Sequence, residues 1–197
     1  MEKLKKTKHL LATLLACALA CALAASCACA DRRAAPPTAR NVDIPRYMGA
    51  WYEIARLPSP FQSGTFDALA VYEADGAGVK ITNTATKPGG KTSQSKASAY
   101  IPDASDSSKL RVTFFWPFYG DYWILAVDDD YQWALVGTPD YKYLWLLSRS
   151  PGMERERAME ILGIAQSAGF DTSRAIFNED LKNCPECRKT KKEPPSK

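Results

Sequence analysis

The sequence predicts an all-β fold, a sandwich or barrel of eight short strands, with one helix packed against its outside. Two observations carry this. Within residues 50–148, eight runs of apolar, aromatic or alternating residues are each stopped by turn residues; short strands at such spacing mark a sandwich or barrel. After them comes a single stretch with an apolar stripe at helical spacing. Eight antiparallel strands that close on themselves leave room for one small ligand.

The first run, 50–57, stops at Pro58-Ser59-Pro60, and the second, 66–74, at Asp75-Gly76-Ala77-Gly78. Run 79–86 stops at Pro88-Gly89-Gly90, and the polar, alternating run 93–101 at Pro102-Asp103. Run 110–116 ends at Pro117, and run 122–127 at Asp128-Asp129-Asp130, three carboxylates that most simply cap a solvated turn. Run 132–137 ends at Thr138-Pro139-Asp140, and 143–148 is the last. Ser150 then suits a helix N-cap and Pro151 the first helical position. Ala158, Ile161, Leu162 and Ala165 form the apolar stripe, and Gly169 suits the position after the last turn. Glu154, Arg155, Glu156, Arg157 and Glu160 face solvent.

The chain has 197 residues, 46% of them hydrophobic and 24% charged, with a net charge of +4. Residues 1–9 contribute +3 and residues 188–197 contribute +4, which leaves the body at −3. A mildly acidic body argues against a nucleic-acid platform. The single histidine is His9. A mature chain without it has no Ser-His-Asp or Cys-His chemistry and no His-ligated zinc or haem. No metal or cofactor is expected, and no enzymatic activity.

Residues 1–30 read as a secretory signal: a basic start, a run of 16 dominated by Leu, Ala and Cys, then small residues. That run is short for a membrane span. Cys27, after Leu23-Ala24-Ala25-Ser26, stands where a bacterial lipoprotein carries its lipid, although the Leu is one place early. Cys17 is the rival, and cleavage after Ala28-Cys29-Ala30 is the alternative without lipid. Each route exports the chain to an oxidising compartment. The expected location is the outer membrane, facing the periplasm, or else a soluble periplasmic or secreted state. Residues 31–41 read as a linker, 42–183 as the folded domain, and 184–197 as a basic disordered tail. The body has no cysteine before Cys184. Cys184 and Cys187, in C-x-x-C, are expected to pair with each other, with an intermolecular pair and a dimer as the rival.

Gly49-Ala50-Trp51-Tyr52-Glu53-Ile54-Ala55-Arg56 resembles the first signature of the lipocalin family, and Leu144-Trp145-Leu146-Leu147-Ser148-Arg149-Ser150-Pro151 resembles its last-strand signature. Between them, Phe114-Phe115-Trp116-Pro117-Phe118-Tyr119-Gly120 and Tyr131-Gln132-Trp133-Ala134-Leu135-Val136 are similar to the bacterial outer-membrane branch, related to the apolipoprotein D branch. The resemblance implies an eight-stranded up-and-down antiparallel barrel with a flanking C-terminal helix. It implies a carrier of fatty acid or lysophospholipid; the expected state is a monomer or homodimer. It also implies that Trp51 plugs the closed base with Arg149 across its indole, a cation–π contact. Asn183-Cys184-Pro185 matches half of a family clip, whose partner cysteine stands where this chain has Phe66.

Side chains alternate in and out along a strand. An apolar interior places Leu110, Val112 and Phe114 inward. Ala68, Ala70 and Tyr72 share a face, as do Val79, Ile81 and Asn83. Trp145 and Leu147 share one with Arg149, and Glu53 shares one with Trp51 and Ala55. The expected ligand set is Asn83, Phe114, Trp145, Tyr72, Ala70, Val112 and Leu147, with the Asn83 amide orienting a headgroup or carbonyl. By position, Asn83, Phe114 and Trp145 also match pocket residues of the resembled family. Glu53, a carboxylate aimed inward, is either hydrogen-bonded near the base or a catalytic acid. A scaffold whose barrel is filled by its own aromatics is the competing expectation, with Trp116-Pro117-Phe118-Tyr119 as its contact surface.

Overall fold

The computed structural model describes residues 33–184. Cys27, Cys17, Cys187 and the basic run 188–192 lie outside the described residues, so the structure does not address the lipid anchor or the tail.

Eight strands follow one another around a closed barrel: β1 Gly49–Arg56, β2 Phe66–Asp75, β3 Gly78–Thr86, β4 Thr92–Tyr100, β5 Lys109–Phe115, β6 Phe118–Val127, β7 Trp133–Gly137 and β8 Leu144–Ser148. Each pairs antiparallel with the next, and β1 pairs with both β2 and β8, which closes the ring. The architecture is thus the up-and-down barrel, not the sandwich. A short helix, α1 (Ile44–Tyr47), precedes β1, with the Asp43 carboxylate accepting from the Arg46 N–H at its start. Helix α2 (Arg155–Ser167) follows β8. A two-residue strand β9 (Ile176–Phe177) pairs with the end of β1, and α3 (Asn178–Asn183) closes the described chain.

Ala158, Ile161, Leu162 and Ala165 are buried as the stripe predicts, against Ile54, Ala55, Leu135, Leu144 and Leu146 on the outer wall. Gly169 takes φ +107°, the left-handed conformation that suits glycine after a helix. The helix start differs from expectation. Ser150 and Pro151 lie in a bend, and α2 begins at Arg155 behind Glu154. Gly152 disfavours a helical turn there, and Met153 packs into the outer core before the helix starts.

The segment expected to be a linker is held at its far end. The Ala39 N–H donates to the Ile124 carbonyl at 2.9 Å, and Ala39 packs on the inner core. The inner core itself contains Val42, Tyr47, Trp51, Tyr72, Ile81, Leu110, Ile124, Val136 and Leu147.

Candidate functional site

The interior is built in three layers. At the base, Trp51 is fully buried and donates its indole N–H to the Tyr47 carbonyl at 2.8 Å. The Arg149 guanidinium lies 3.8 Å from the centre of the Trp51 ring. Its N–H groups reach the carbonyls of Arg46 at 2.7 Å, Ala50 at 2.9 Å and Tyr131 at 3.2 Å. Arg149 is therefore spent on backbone and indole, and burial lowers its pKa below the ordinary arginine value. This arrangement plugs the base.

Above it stands a trio of tyrosines. The Tyr122 hydroxyl is 2.8 Å from that of Tyr47 and 2.9 Å from that of Tyr72. Burial pushes the Tyr72 phenol up to about 12 and the other two well above the usual value. All three stay neutral. Two shared bonds use two of three hydroxyl protons, so one proton is left over within the trio. Strand alternation points to Tyr72 but not to Tyr47 or Tyr122. Only the barrel closure brings these together, since they come from α1, β2 and β6.

The upper layer is wider. Asn83 pairs in register with Ala70 and with Ser95. Asn83, Ala70, Val112 and Trp145 are half-buried, and Ser95 is exposed although its register aims it inward. Side chains that face the lumen yet meet solvent show that this layer is less closely covered than the floor. Leu147 and Tyr72 lie lower, in the packed core. Phe114 is 47% exposed, at the level where the β4–β5 ladder stops with Ser98 opposite Thr113. It stands at the edge of the chamber instead of inside it.

The alternation of β1 is broken. A register shift between Glu53 and Ala55 places Ala55 in the outer core under α2, so it does not share a face with Glu53. The same bulge turns Arg56 inward, where it is buried and paired with the Glu53 carboxylate. Arg56 also donates to the carbonyls of Gln62, at 2.8 Å, and Thr65, at 3.1 Å. The Gln62 amide donates to Glu53 at 2.6 Å and accepts from the Trp145 indole at 2.8 Å. These bonds fold the β1–β2 loop, with its single turn of 3-10 helix at Pro60–Gln62, over one side of the mouth. Glu53 is a structural anchor in this network: both its oxygens are engaged by Arg56 and Gln62.

A barrel plugged at one end, with half-buried apolar side chains and few polar groups toward the other, has the form of a small-molecule binding site. The Lipocalin-like domain family matches residues 42–180, and the chain belongs to the lipocalins, a family known for holding small hydrophobic ligands. It is 42% identical to the outer membrane lipoprotein Blc of Escherichia coli (strain K12) over 139 residues, 70% of this chain and 78% of that protein. It is 40% identical to temperature-induced lipocalin-1 of Arabidopsis thaliana over 144 residues, 68% of this chain and 77% of that one. With apolipoprotein D of Mus musculus it shares 29% over 160 residues, 77% of this chain and 84% of that one. Among solved structures, insecticyanin from the tobacco hornworm Manduca sexta superposes with a TM-score of 0.61 at 23% identity, covering 81% of this chain and 89% of that one. That last likeness concerns the fold alone.

Proposed function

We propose that the protein binds and carries a single acyl-chain lipid, a fatty acid or lysophospholipid, in the bacterial envelope, held there by a lipid on Cys27. The observation that supports this most is the layer of half-buried, inward-facing side chains over a packed floor. Ala70, Val112 and Trp145 offer apolar surface to a chain, at about 25 cal/mol per Å² buried before ordering costs. Asn83 and the spare hydroxyl proton of the tyrosine trio supply polar fixing points inside it. The family and its outer membrane lipoprotein relatives support a binding role over an enzymatic one. Glu53, already neutralised by Arg56, leaves no poised acid.

The test is native mass spectrometry of the mature chain after mild delipidation. One equivalent of oleic acid or its lysophospholipid should be retained, and Asn83→Leu or Ala70→Trp should lower retention. The packed lower half favours a rival, a scaffold with a self-filled barrel. Failure to retain either lipid would select that rival.

A further inference from the structure

The most exposed apolar side chains of the described molecule are gathered at one end. Phe115 is 81% exposed, Trp116 80% and Phe118 78%, all on the tip of the β5–β6 hairpin. Phe61, 81% exposed, stands on the β1–β2 loop. In an up-and-down ring these two turns lie at the same open end, four strands apart among eight, hence on opposite sides of the mouth. Exposed aromatics of this size are costly in water and need a reason.

The open rim also carries lysine. The turns at the open end, 57–65, 87–91, 116–117 and 138–143, hold Lys87, Lys91 and Lys142 against one acid, Asp140. Asp140 is itself paired with Lys142 at 2.9 Å. The turns at the closed end, 76–77, 101–108 and 128–132, hold Asp103, Asp106, Asp128, Asp129 and Asp130, but Arg46 and Arg149 lie at the same end and Lys109 pairs with Asp106 at 2.9 Å. Trp and Phe side chains flanked by unpaired lysines suit the boundary between anionic headgroups and acyl chains.

We infer that the open rim docks onto an anionic lipid bilayer, with Phe115, Trp116 and Phe118 entering the interface and Lys87 and Lys91 against the headgroups. The mouth then faces the lipid that the chamber takes up. The β4–β5 ladder, which stops at Ser98 and Thr113, leaves the upper part of β4 without a β5 partner beside this same tip. A chain leaving the bilayer along Phe114 reaches the lumen there without crossing water. The purpose of docking rests on the ligand reading above; docking itself is measured separately.

The reporter is Trp116. The full chain is placed on vesicles of phosphatidylglycerol and phosphatidylethanolamine carrying brominated acyl chains, which quench tryptophan only within the membrane. The readout works whether or not an N-terminal lipid tethers the protein. Wild type should show quenching that Trp116→Phe removes. Phe115→Ser with Phe118→Ser should reduce the docked-to-free ratio about tenfold for each ring lost. Lys87→Gln and Lys91→Gln should reduce it about fivefold each. These side chains are on the surface, so thermal unfolding should match wild type. Quenching equal in wild type and Trp116→Phe, or unchanged by the double serine variant, overturns the inference. Acyl uptake delivered from cyclodextrin is followed in parallel. Uptake without Trp116 quenching sinks docking and leaves the carrier reading; quenching without uptake does the reverse.

Discussion

At the scale of single residues, the interior is governed by where polar atoms find partners. Arg149 closes the base by satisfying three backbone carbonyls while covering Trp51. The tyrosine trio satisfies itself with one donor to spare, and this has a pH consequence. Each phenol has its folded pKa above the ordinary 10.0, Tyr72 reaching about 12, because burial disfavours phenolate. Folding therefore holds protons that the unfolded chain releases. The stabilisation is complete below about pH 10 and is lost as pH rises through the folded value. Thermal midpoints should be level up to about pH 9.5 and fall steeply between about 10 and 12. Tyr72→Phe should make the fall shallower, and absorbance at 295 nm should show three of the nine phenols titrating only with unfolding. All nine titrating in the folded state would refute the trio's burial.

At the scale of elements, the β1–β2 loop is a cover fastened from inside. Its fastening is one buried ion pair and the bonds Arg56 makes to two loop carbonyls. Removing one partner of such a pair leaves the other charged and buried, which costs roughly 3–5 kcal/mol. Arg56→Ala should lose about that much in urea unfolding. Glu53→Gln combined with Arg56→Met should recover most of it, while loosening the loop and speeding ligand exchange. If Arg56→Ala costs under about 1 kcal/mol, the pair is not the fastening. The strand ends were legible in the sequence because Pro, Gly and Asp stop each run, and all eight strands fall within a few residues of expectation. The bulge after Glu53 was not legible, since alternation assumes an unbroken ladder. That one extra residue sent Ala55 outward and Arg56 inward. Alternation puts Phe114 inward, but a second register shift, between Val112 and Phe115, falls at this residue and the β4–β5 ladder ends before it, and no local pattern records either. Tyr47 and Tyr122 were invisible for the same reason: a hydroxyl network across three elements has no signature in any one of them.

At the scale of the whole molecule, the remaining question is how the two ends of the chain are chemically finished. Cys184 is engaged in a disulfide, and it is the only cysteine among the described residues, so its partner lies outside them. Lipoprotein processing narrows the choice. If Cys27 becomes the lipidated first residue, Cys17 and Cys21 leave with the signal and the Cys27 sulfur is consumed in a thioether. Cys29 and Cys187 then remain. Cys187 is two residues from Cys184 across Pro185 and Glu186 and is always within reach, whereas Cys29 must cross from the other terminus. A loop so short removes little unfolded-chain entropy, about 2 kcal/mol at most, so the bond serves the tail locally more than the barrel. Intact mass of the protein recovered from cells should equal the chain from Cys27 with its acyl groups, less two hydrogens. Non-reducing digestion should give Cys184 and Cys187 in one cross-linked peptide, and Cys184→Ser should shift the unfolding midpoint by only a few degrees. A Cys29–Cys184 peptide, or a reducible dimer lost in Cys184→Ser, would replace the local loop with a tether between the termini or between two chains.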